Sequence, residues 1–205
     1  LTLYTASQEA ERRLRLDEAI SKWGLAVIAA QENGNKAAAG WLYERMGAIY
    51  EVQQKWKDAQ EAYEAGRKLL EGNGDAAAQA IMMEALGDCS QSMNDYPAAQ
   101  RWYEQALQAN TGAGNELWAA DNAKTLGDIT YLRGDLQAAQ DYYRRALAIK
   151  ERLAPNSLDV AGIFNNLGNV ARFRNDLQAA QDYYRRALAT QERLAPDSVT
   201  GAGIL

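Results

Sequence analysis

Four times along the chain, an apolar residue is followed at fixed distances by an alanine, an aromatic residue and a small residue. The first copy consists of Trp56, Ala59, Tyr63 and Gly66, at offsets of 3, 4 and 3 residues. Residues at these offsets lie on one face of an α-helix. The later copies are Tyr96, Ala99, Tyr103 and Ala106, then Leu136, Ala139, Tyr143 and Ala146, and last Leu177, Ala180, Tyr184 and Ala187. The pattern predicts four amphipathic helices whose small side chains let a neighbouring helix approach closely.

A second helix is predicted before each of these. An apolar residue followed by glycine stands 13 residues before each alanine, as Met46-Gly47, Leu86-Gly87, Leu126-Gly127 and Leu167-Gly168. Glycine inside a helix costs about 1 kcal/mol. Four glycines at the same position therefore indicate a helix–helix contact that is too close for a β-carbon.

The helix pairs form a repeat. Residues 135–155 and 176–196 are identical except for Ile149 and Lys150, which become Thr190 and Gln191, and the two copies lie 41 residues apart. Self-similarity at a fixed period of this size is typical of stacked supersecondary units. The sequence therefore predicts an all-α fold built from helix pairs.

The order Leu-Gly, alanine, aromatic and small residue resembles the tetratricopeptide repeat (TPR). This resemblance implies a right-handed superhelical solenoid of about five antiparallel helix pairs. The period of 40 or 41 residues is longer than the usual length of about 34, and it is similar to that of kinesin light chains and of bacterial arrays attached to signalling domains. The added residues include the predicted turns Gly72–Gly74, Thr111–Gly114 and Ala154–Ser157.

The repeat divides residues 1–205 into one array. The helix pairs are predicted at 1–33, 36–71, 75–110, 115–153 and 157–193. The first pair is degenerate, because Ala6-Ser7 replaces Leu-Gly, and it is either a terminal cap or an ordinary unit cut short. Residues 198–205 align with the start of the unit before them, so we expect a truncated sixth unit and a chain that is a fragment of a longer protein.

Composition and charge exclude several functions. A net charge of −5 provides no basic surface for nucleic acid or an anionic membrane, and no apolar run approaches the ~20 residues of a membrane span. The chain has no histidine, which is the commonest general base and metal ligand. Cys89 is the single cysteine, which favours a reducing compartment. We therefore expect a cytoplasmic protein without a metal or other cofactor.

No residue pattern predicts catalysis. Asp141 and Arg145 have the spacing of an exposed ion pair on a helix. Cys89 has no histidine to activate it and is predicted to be buried and inert. Gly112-Ala113-Gly114 lacks the lysine and the preceding strand of a phosphate-binding loop, so it is interpreted as a linker. The sequence does not predict an enzyme.

The resemblance also implies where a ligand would bind, because in this family the first helix of each pair lines a concave groove. Ligand-facing positions transferred by alignment are Glu44, Glu84, Asp88, Lys124, Asp128, Tyr131, Asn165, Asn166, Asn169 and Arg172. Asn166 and Asn169 match asparagines that bind a peptide backbone in kinesin-light-chain-like and chaperone-binding repeats. An asparagine amide both donates and accepts hydrogen bonds, so it can hold a peptide without reading its sequence.

The groove positions of the second to fourth units are mainly acidic, which favours a basic ligand. The sequence predicts a non-catalytic protein–protein interaction module that binds a peptide or helix in this groove. Two alternatives stay open. The array could be the regulatory arm of a larger signalling enzyme, a caspase-like protease or a nucleotide-driven switch, whose catalytic domain lies elsewhere. The truncated ends could also support end-to-end self-association.

Overall fold

The computed structural model describes residues 2–71 and 75–194, with side chains from Arg15 onwards. Within these residues the chain forms nine α-helices and no strand, so the predicted all-α class is confirmed. None of the described helices combines the length and the apolar character that a membrane span needs. The helices are α1 (Thr2–Glu32), α2 (Lys36–Val52), α3 (Trp56–Leu70), α4 (Ala76–Ser92), α5 (Tyr96–Gly112), α6 (Glu116–Leu132), α7 (Leu136–Leu153), α8 (Leu158–Phe173) and α9 (Leu177–Leu194).

The helices group into two units, Leu1–Trp102 and Tyr103–Leu205. In the first unit, α2 packs against α1 and α3, and α3 packs against α4. In the second unit, α6 packs against α7, α8 packs against α7 and α9, and α6 also touches α8. Each predicted first helix (α2, α4, α6 and α8) is thus followed along the chain by its second helix (α3, α5, α7 and α9).

The N-terminal residues differ from the prediction. Instead of a helix pair over 1–33, the structure has the single helix α1. Residues 11–17, where a pair over 1–33 would need a turn between its two helices, read ERRLRLD and contain no glycine, proline or asparagine that would end a helix. Because no first helix covers this segment, Trp23 is 37% exposed, whereas Tyr63 at the same repeat position is 2% exposed.

Two other predictions concern parts of the chain that lie outside the described residues. The turn at 72–74 is one of them. The start of a sixth unit at 198–205 is the other.

The turn within each helix pair has a fixed construction. A residue in the left-handed region follows the first helix, at φ of 58° for Gln54, 60° for Asn94, 80° for Gly134 and 62° for Asn175. In three of these turns the next residue is an aspartate that caps the second helix. Asp135, for example, accepts a hydrogen bond from the backbone N–H of Ala138 at 3.0 Å. Such caps satisfy a free N–H group at a helix start and set where each second helix begins.

Glycine and tyrosine hold the two helices of a pair together. A β-carbon placed on Gly127 would lie 2.5 Å from ring carbon Cε1 of Tyr143, and one on Gly168 would lie 2.5 Å from Cε1 of Tyr184. The pair Gly47 and Tyr63 has the same geometry, at 2.6 Å. These distances confirm a contact too close for a side chain at three of the four repeated glycines.

Candidate functional site

The predicted groove residues of the second unit lie on the first helices α6 and α8. A cavity of about 240 Å³ between these helices, called here the α6–α8 cavity, brings together four of them. Its lining consists of Asp128, Tyr131, Leu132, Tyr143, Asn166 and Asn169. Lys124 and Arg172 lie close to this group, as the contacts below show, whereas the half-buried Asn165 is not part of the lining.

Asp128 is the centre of the hydrogen bonds in the α6–α8 cavity. Its Oδ1 accepts hydrogen bonds from the Tyr143 hydroxyl at 2.7 Å and from Asn166 Nδ2 at 3.0 Å. Its Oδ2 pairs with Lys124 Nζ at 3.0 Å. Burial, together with the hydrogen bond to Asp128 and its charge, raises the pKa of Tyr143 well above its ordinary value. Asp128 therefore joins α6 to both α7 and α8.

Asn169 occupies the same repeat position as Asp128 and makes the equivalent contact. Its Oδ1 accepts a hydrogen bond from the Tyr184 hydroxyl at 2.8 Å. The amide nitrogen of Asn169 is not needed for this bond, and the carbonyl of Asn166 is not needed for its bond to Asp128. Both residues line the cavity, and these two groups are chemically able to bond to a ligand.

An apolar edge borders the cavity. Leu132 is 62% exposed and Phe173 is 61% exposed. The ring of Tyr131 meets the ring of Phe173 edge to face, with centroids 5.6 Å apart, and the Arg172 guanidinium lies 5.1 Å from the Phe173 centroid. The cavity thus combines amide groups with exposed apolar surface.

The sequence reasoning missed the contribution of Leu132, Tyr143 and Phe173 to this region. The sequence contains a pattern that could have identified two of them. Leu132 and Phe173 each stand six residues after the leucine of Leu-Gly and end their helices, as Val52 does in the first unit after Met46. All three are more than half exposed. A large apolar residue that recurs at one position and is not needed in the core is a candidate for ligand contact.

In the first unit the predicted groove residues Glu44, Glu84 and Asp88 lie on α2 and α4. Glu44 Oε2 is 3.5 Å from Arg45 Nε. Glu84 is half-buried and Asp88 is exposed, and both have interaction partners within the chain. These three acids are therefore not a cluster of unpaired charge.

Cys89 is fully buried, as predicted. Its Sγ donates to Glu51 Oε1 at 3.5 Å. Burial first, and then the charge and hydrogen bond of Glu51, raise the pKa of the Cys89 thiol to about 12. Burial also raises the pKa of Glu51. A buried thiol with this pKa is a poor nucleophile. Within the described residues, no group of three His, Cys, Asp or Glu side chains is placed to hold a metal ion.

A family model described as "Tetratricopeptide repeat" matches residues 37–112 and 114–193. No curated protein matches the chain.

Several solved structures are similar to the chain. One is BtubC (BKLC) from P. vanneervenii, with 24% identity, a TM-score of 0.79, and coverage of 90% of this chain and 76% of that one. Another is the apo form of RapI, with 15% identity, a TM-score of 0.80, and coverage of 89% of this chain and 50% of RapI. A third consists of the nearly identical TPR-like repeats of a Podosopora anserina protein named as a kinesin light chain, with 12% identity, a TM-score of 0.71, and coverage of 94% of each chain. At these identities the similarity concerns the fold, and it confirms a solenoid of the TPR type.

Proposed function

We propose that this chain, which belongs to the tetratricopeptide repeat family, is a non-catalytic protein-interaction module that holds a peptide or a helix in the α6–α8 cavity. Solenoids of stacked helix pairs bind other proteins through extended surfaces of this kind. The observation that carries the proposal is the pair of asparagines, Asn166 and Asn169, in one cavity beside exposed apolar side chains. We further propose that the helix pairs belong to one continuous array.

The asparagines favour an extended peptide. The Asn169 amide nitrogen can donate to a peptide carbonyl, and the Asn166 carbonyl can accept from a peptide N–H. Both side chains are already oriented, Asn169 by the hydroxyl of Tyr184 and Asn166 by the carboxylate of Asp128. Side chains that are fixed before binding lose less conformational entropy when the ligand arrives.

The apolar edge adds a requirement on the ligand. Leu132 and Phe173 end α6 and α8, and both are more than half exposed. A ligand that covers them would gain about 25 cal/mol for each Å² of apolar surface removed from water. The ligand of this proposal therefore has a large apolar side chain next to the peptide bonds held by the asparagines.

The charge of the cavity bears on the predicted basic ligand. Asp128 already accepts hydrogen bonds from Tyr143 and Asn166 and pairs with Lys124. Its carboxylate therefore has little free capacity for a lysine or arginine of a ligand. A preference for basic ligands stays a prediction, and it is one variable of the experiment below.

The experiment is a selection of peptides from a displayed random library on the immobilised chain, followed by measurement of Kd for the selected peptides by fluorescence anisotropy. The variants are Asn166→Ala/Asn169→Ala and Phe173→Ser. We expect both to weaken binding roughly tenfold or more. The double variant removes two hydrogen bonds worth about 1 kcal/mol each, and Phe173→Ser removes the burial of a phenyl ring worth about 1.5–3 kcal/mol. An enrichment of lysine and arginine in the selected peptides would support the basic ligand.

The matched control is Asn156→Ala, which removes an exposed asparagine from the α7–α8 loop and should leave Kd unchanged. Circular dichroism melting curves must confirm that all variants are folded, because Asn169 also bonds to Tyr184. The proposal is wrong if no peptide is selected, or if the selected peptides bind the double variant as well as they bind the parent.

Two finer predictions accompany the proposal. A cytoplasmic location is tested by cell fractionation of the full-length protein. End-to-end self-association involves residues outside the described ranges, and concentration-dependent light scattering tests it.

A further inference from the structure

A second cavity lies between the second helices α5 and α7, on residues that the α6–α8 cavity does not use. It has a volume of about 510 Å³ and is called here the α5–α7 cavity. This volume is within the range of ligand-binding pockets, about 300–1,000 Å³. Its lining includes Glu104, Leu107, Thr111 and Gly112 from α5, and Tyr142 and Arg145 from α7.

The next repeat has the same helices, and the contacts there show which groups its equivalent arginine and tyrosine bind. Arg186, the equivalent of Arg145, pairs with Glu151 Oε1 at 2.9 Å. Its guanidinium also lies 4.1 Å from the centroid of the Phe164 ring. Tyr183, the equivalent of Tyr142, stacks on the same ring with centroids 6.4 Å apart. In this repeat the carboxylate of Glu151 thus pairs with the arginine, and the ring of Phe164 packs against both the arginine and the tyrosine.

Both groups are absent one repeat earlier. The sequence has Thr111 in place of Glu151 and Ala123 in place of Phe164, at shifts of 40 and 41 residues. Arg145 accordingly donates to the neutral Thr111 hydroxyl, at 3.2 Å, instead of to a carboxylate. In addition, Gly112 stands where the next repeat has Arg152. Arg145 therefore lacks the carboxylate that Glu151 gives to Arg186, and Tyr142 lacks the phenyl ring that Phe164 gives to Tyr183.

We propose that the α5–α7 cavity binds a segment of a partner protein that carries an acidic side chain next to an aromatic one. The ligand carboxylate pairs with Arg145, as Glu151 pairs with Arg186. The ligand ring packs against Arg145 and Tyr142, as Phe164 packs against Arg186 and Tyr183. The partner therefore supplies the two groups that the chain itself supplies in the following repeat.

The charges around the cavity give the ligand a direction. Glu104 accepts a hydrogen bond from the Tyr142 hydroxyl at 3.2 Å, and it would repel a carboxylate placed beside it. Glu104 stands seven residues before Thr111, which is about 10 Å along the helix. The acidic group of the ligand therefore lies at the Thr111 and Arg145 end of the cavity.

The test uses NMR titration of the isotope-labelled chain with short blocked peptides that contain Glu-Phe or Phe-Glu. We expect saturable shifts of the Thr111 and Gly112 amide signals, and binding at least roughly tenfold weaker when glutamine replaces the glutamate of the peptide, since an ion pair with hydrogen bonds is lost. The proposal is overturned if no peptide gives saturable shifts, or if the glutamine peptides bind equally well.

Three variants make the test specific. Thr111→Glu places a carboxylate where Glu151 stands in the next repeat, so the new side chain should pair with Arg145 and weaken peptide binding at least roughly tenfold. Arg145→Ala removes the arginine and should weaken binding by a similar factor. Arg186→Ala is the matched control at the equivalent arginine and should bind like the parent. All three positions are exposed, so the fold is expected to persist, and melting curves check this. Unchanged binding by Thr111→Glu would overturn the proposal.

The two proposed sites can fail separately. Asn166→Ala/Asn169→Ala should bind the acidic peptides with unchanged affinity, because neither asparagine lines the α5–α7 cavity. Loss of binding in that variant would place the peptides in the other cavity and overturn the present proposal. A self-association that Thr111→Glu abolishes would identify a second copy as the occupant and overturn the assignment to a partner protein.

Discussion

At the scale of single residues, the position after the repeated glycine supports the packing of each helix pair in the second half of the chain, and it also lies in the proposed binding cavity. A buried tyrosine hydroxyl needs a hydrogen-bond partner. Tyr143 finds it in Asp128 and Tyr184 finds it in Asn169. In α2 this position is Ala48, and the Tyr63 hydroxyl is hydrogen-bonded to Glu51 instead. The polar residues of the α6–α8 cavity are therefore constrained by the core as well as by any ligand.

The contact between Gly127 and Tyr143 leads to the first prediction. In Gly127→Ala the new β-carbon would lie 2.5 Å from the Tyr143 ring. The ring is 2% exposed and its hydroxyl is bonded to Asp128, so it has no room to move. We expect the free energy of unfolding, measured by urea denaturation, to fall by about 1–3 kcal/mol.

Gly162→Ala is the control for this prediction. Gly162 also lies inside a first helix, but a β-carbon there has no atom within 4 Å. Alanine favours a helix over glycine by about 1 kcal/mol, so stability should stay equal or rise. Equal stabilities for the two alanine variants would contradict the close contact at Gly127.

At the scale of helices, one buried position of the second helix has a different chemistry in each repeat. It is occupied by Leu70 in α3, Asn110 in α5 and Lys150 in α7. Asn110 donates to Asn122 on α6 at 2.9 Å. Lys150 is 5% exposed and its Nζ lies 2.6 Å from Asp121 on α6 and 3.0 Å from Asp159 on α8. The polar residues at this position therefore bond to neighbouring helices, Asn110 to α6 and Lys150 to both α6 and α8.

The second prediction concerns this buried lysine. Lys150→Met keeps an apolar stem but leaves Asp121 and Asp159 without their common partner. We expect a loss of about 1–3 kcal/mol in the free energy of unfolding, since a hydrogen-bonded charge is removed from a buried site. Thermal and urea denaturation both measure this loss.

The adjacent residue provides the comparison. Glu151→Gln removes an ion pair with Arg186 in which both side chains are about half exposed. Exposed pairs contribute about 0–1 kcal/mol, so this variant should be clearly more stable than Lys150→Met. A reversed order would mean that the lysine does not stabilise the packing of α7 between α6 and α8.

The repeat allowed most of the helix positions and the close helix–helix contact at Gly127 to be predicted, because both depend on spacing within one helix pair. The contact between Asn166 and Asp128 could not be predicted, since it depends on how closely α8 approaches α6. Spacing also failed for α1, where Leu16, Ala19 and Trp23 keep the pattern of a second helix although no turn precedes them. The α5–α7 cavity was not predicted, because the repeat pattern describes the buried positions of the helices and not the exposed ones, such as Thr111 and Arg145, that line this cavity.

At the scale of the whole molecule, the groups whose pKa is shifted furthest titrate on the alkaline side. Burial raises the pKa of Cys89 to about 12, and it also raises the pKa of Tyr63 and of Tyr143 well above the ordinary tyrosine value. For Lys150, burial acts to lower the pKa, but the hydrogen bonds and charges of Asp121 and Asp159 outweigh it and raise the pKa. The chain has no histidine that would titrate near neutral pH.

These shifts predict how stability depends on pH. A group whose pKa is higher in the folded state contributes stability that is complete below its unfolded pKa and is lost as the pH rises towards the folded value. The loss from Cys89 begins near its unfolded pKa of 9.0 and continues to about pH 12, and it amounts to about 1 kcal/mol between pH 9 and pH 10. Tyr63 and Tyr143 add to it above pH 10.

Urea denaturation from pH 7 to pH 10.5 should show constant stability to about pH 8 and then a decline. In Cys89→Ala the decline should start about one pH unit higher, because the tyrosines then titrate first; the same onset in parent and variant would mean that the Cys89 thiol ionises as easily in the folded state as in the unfolded state.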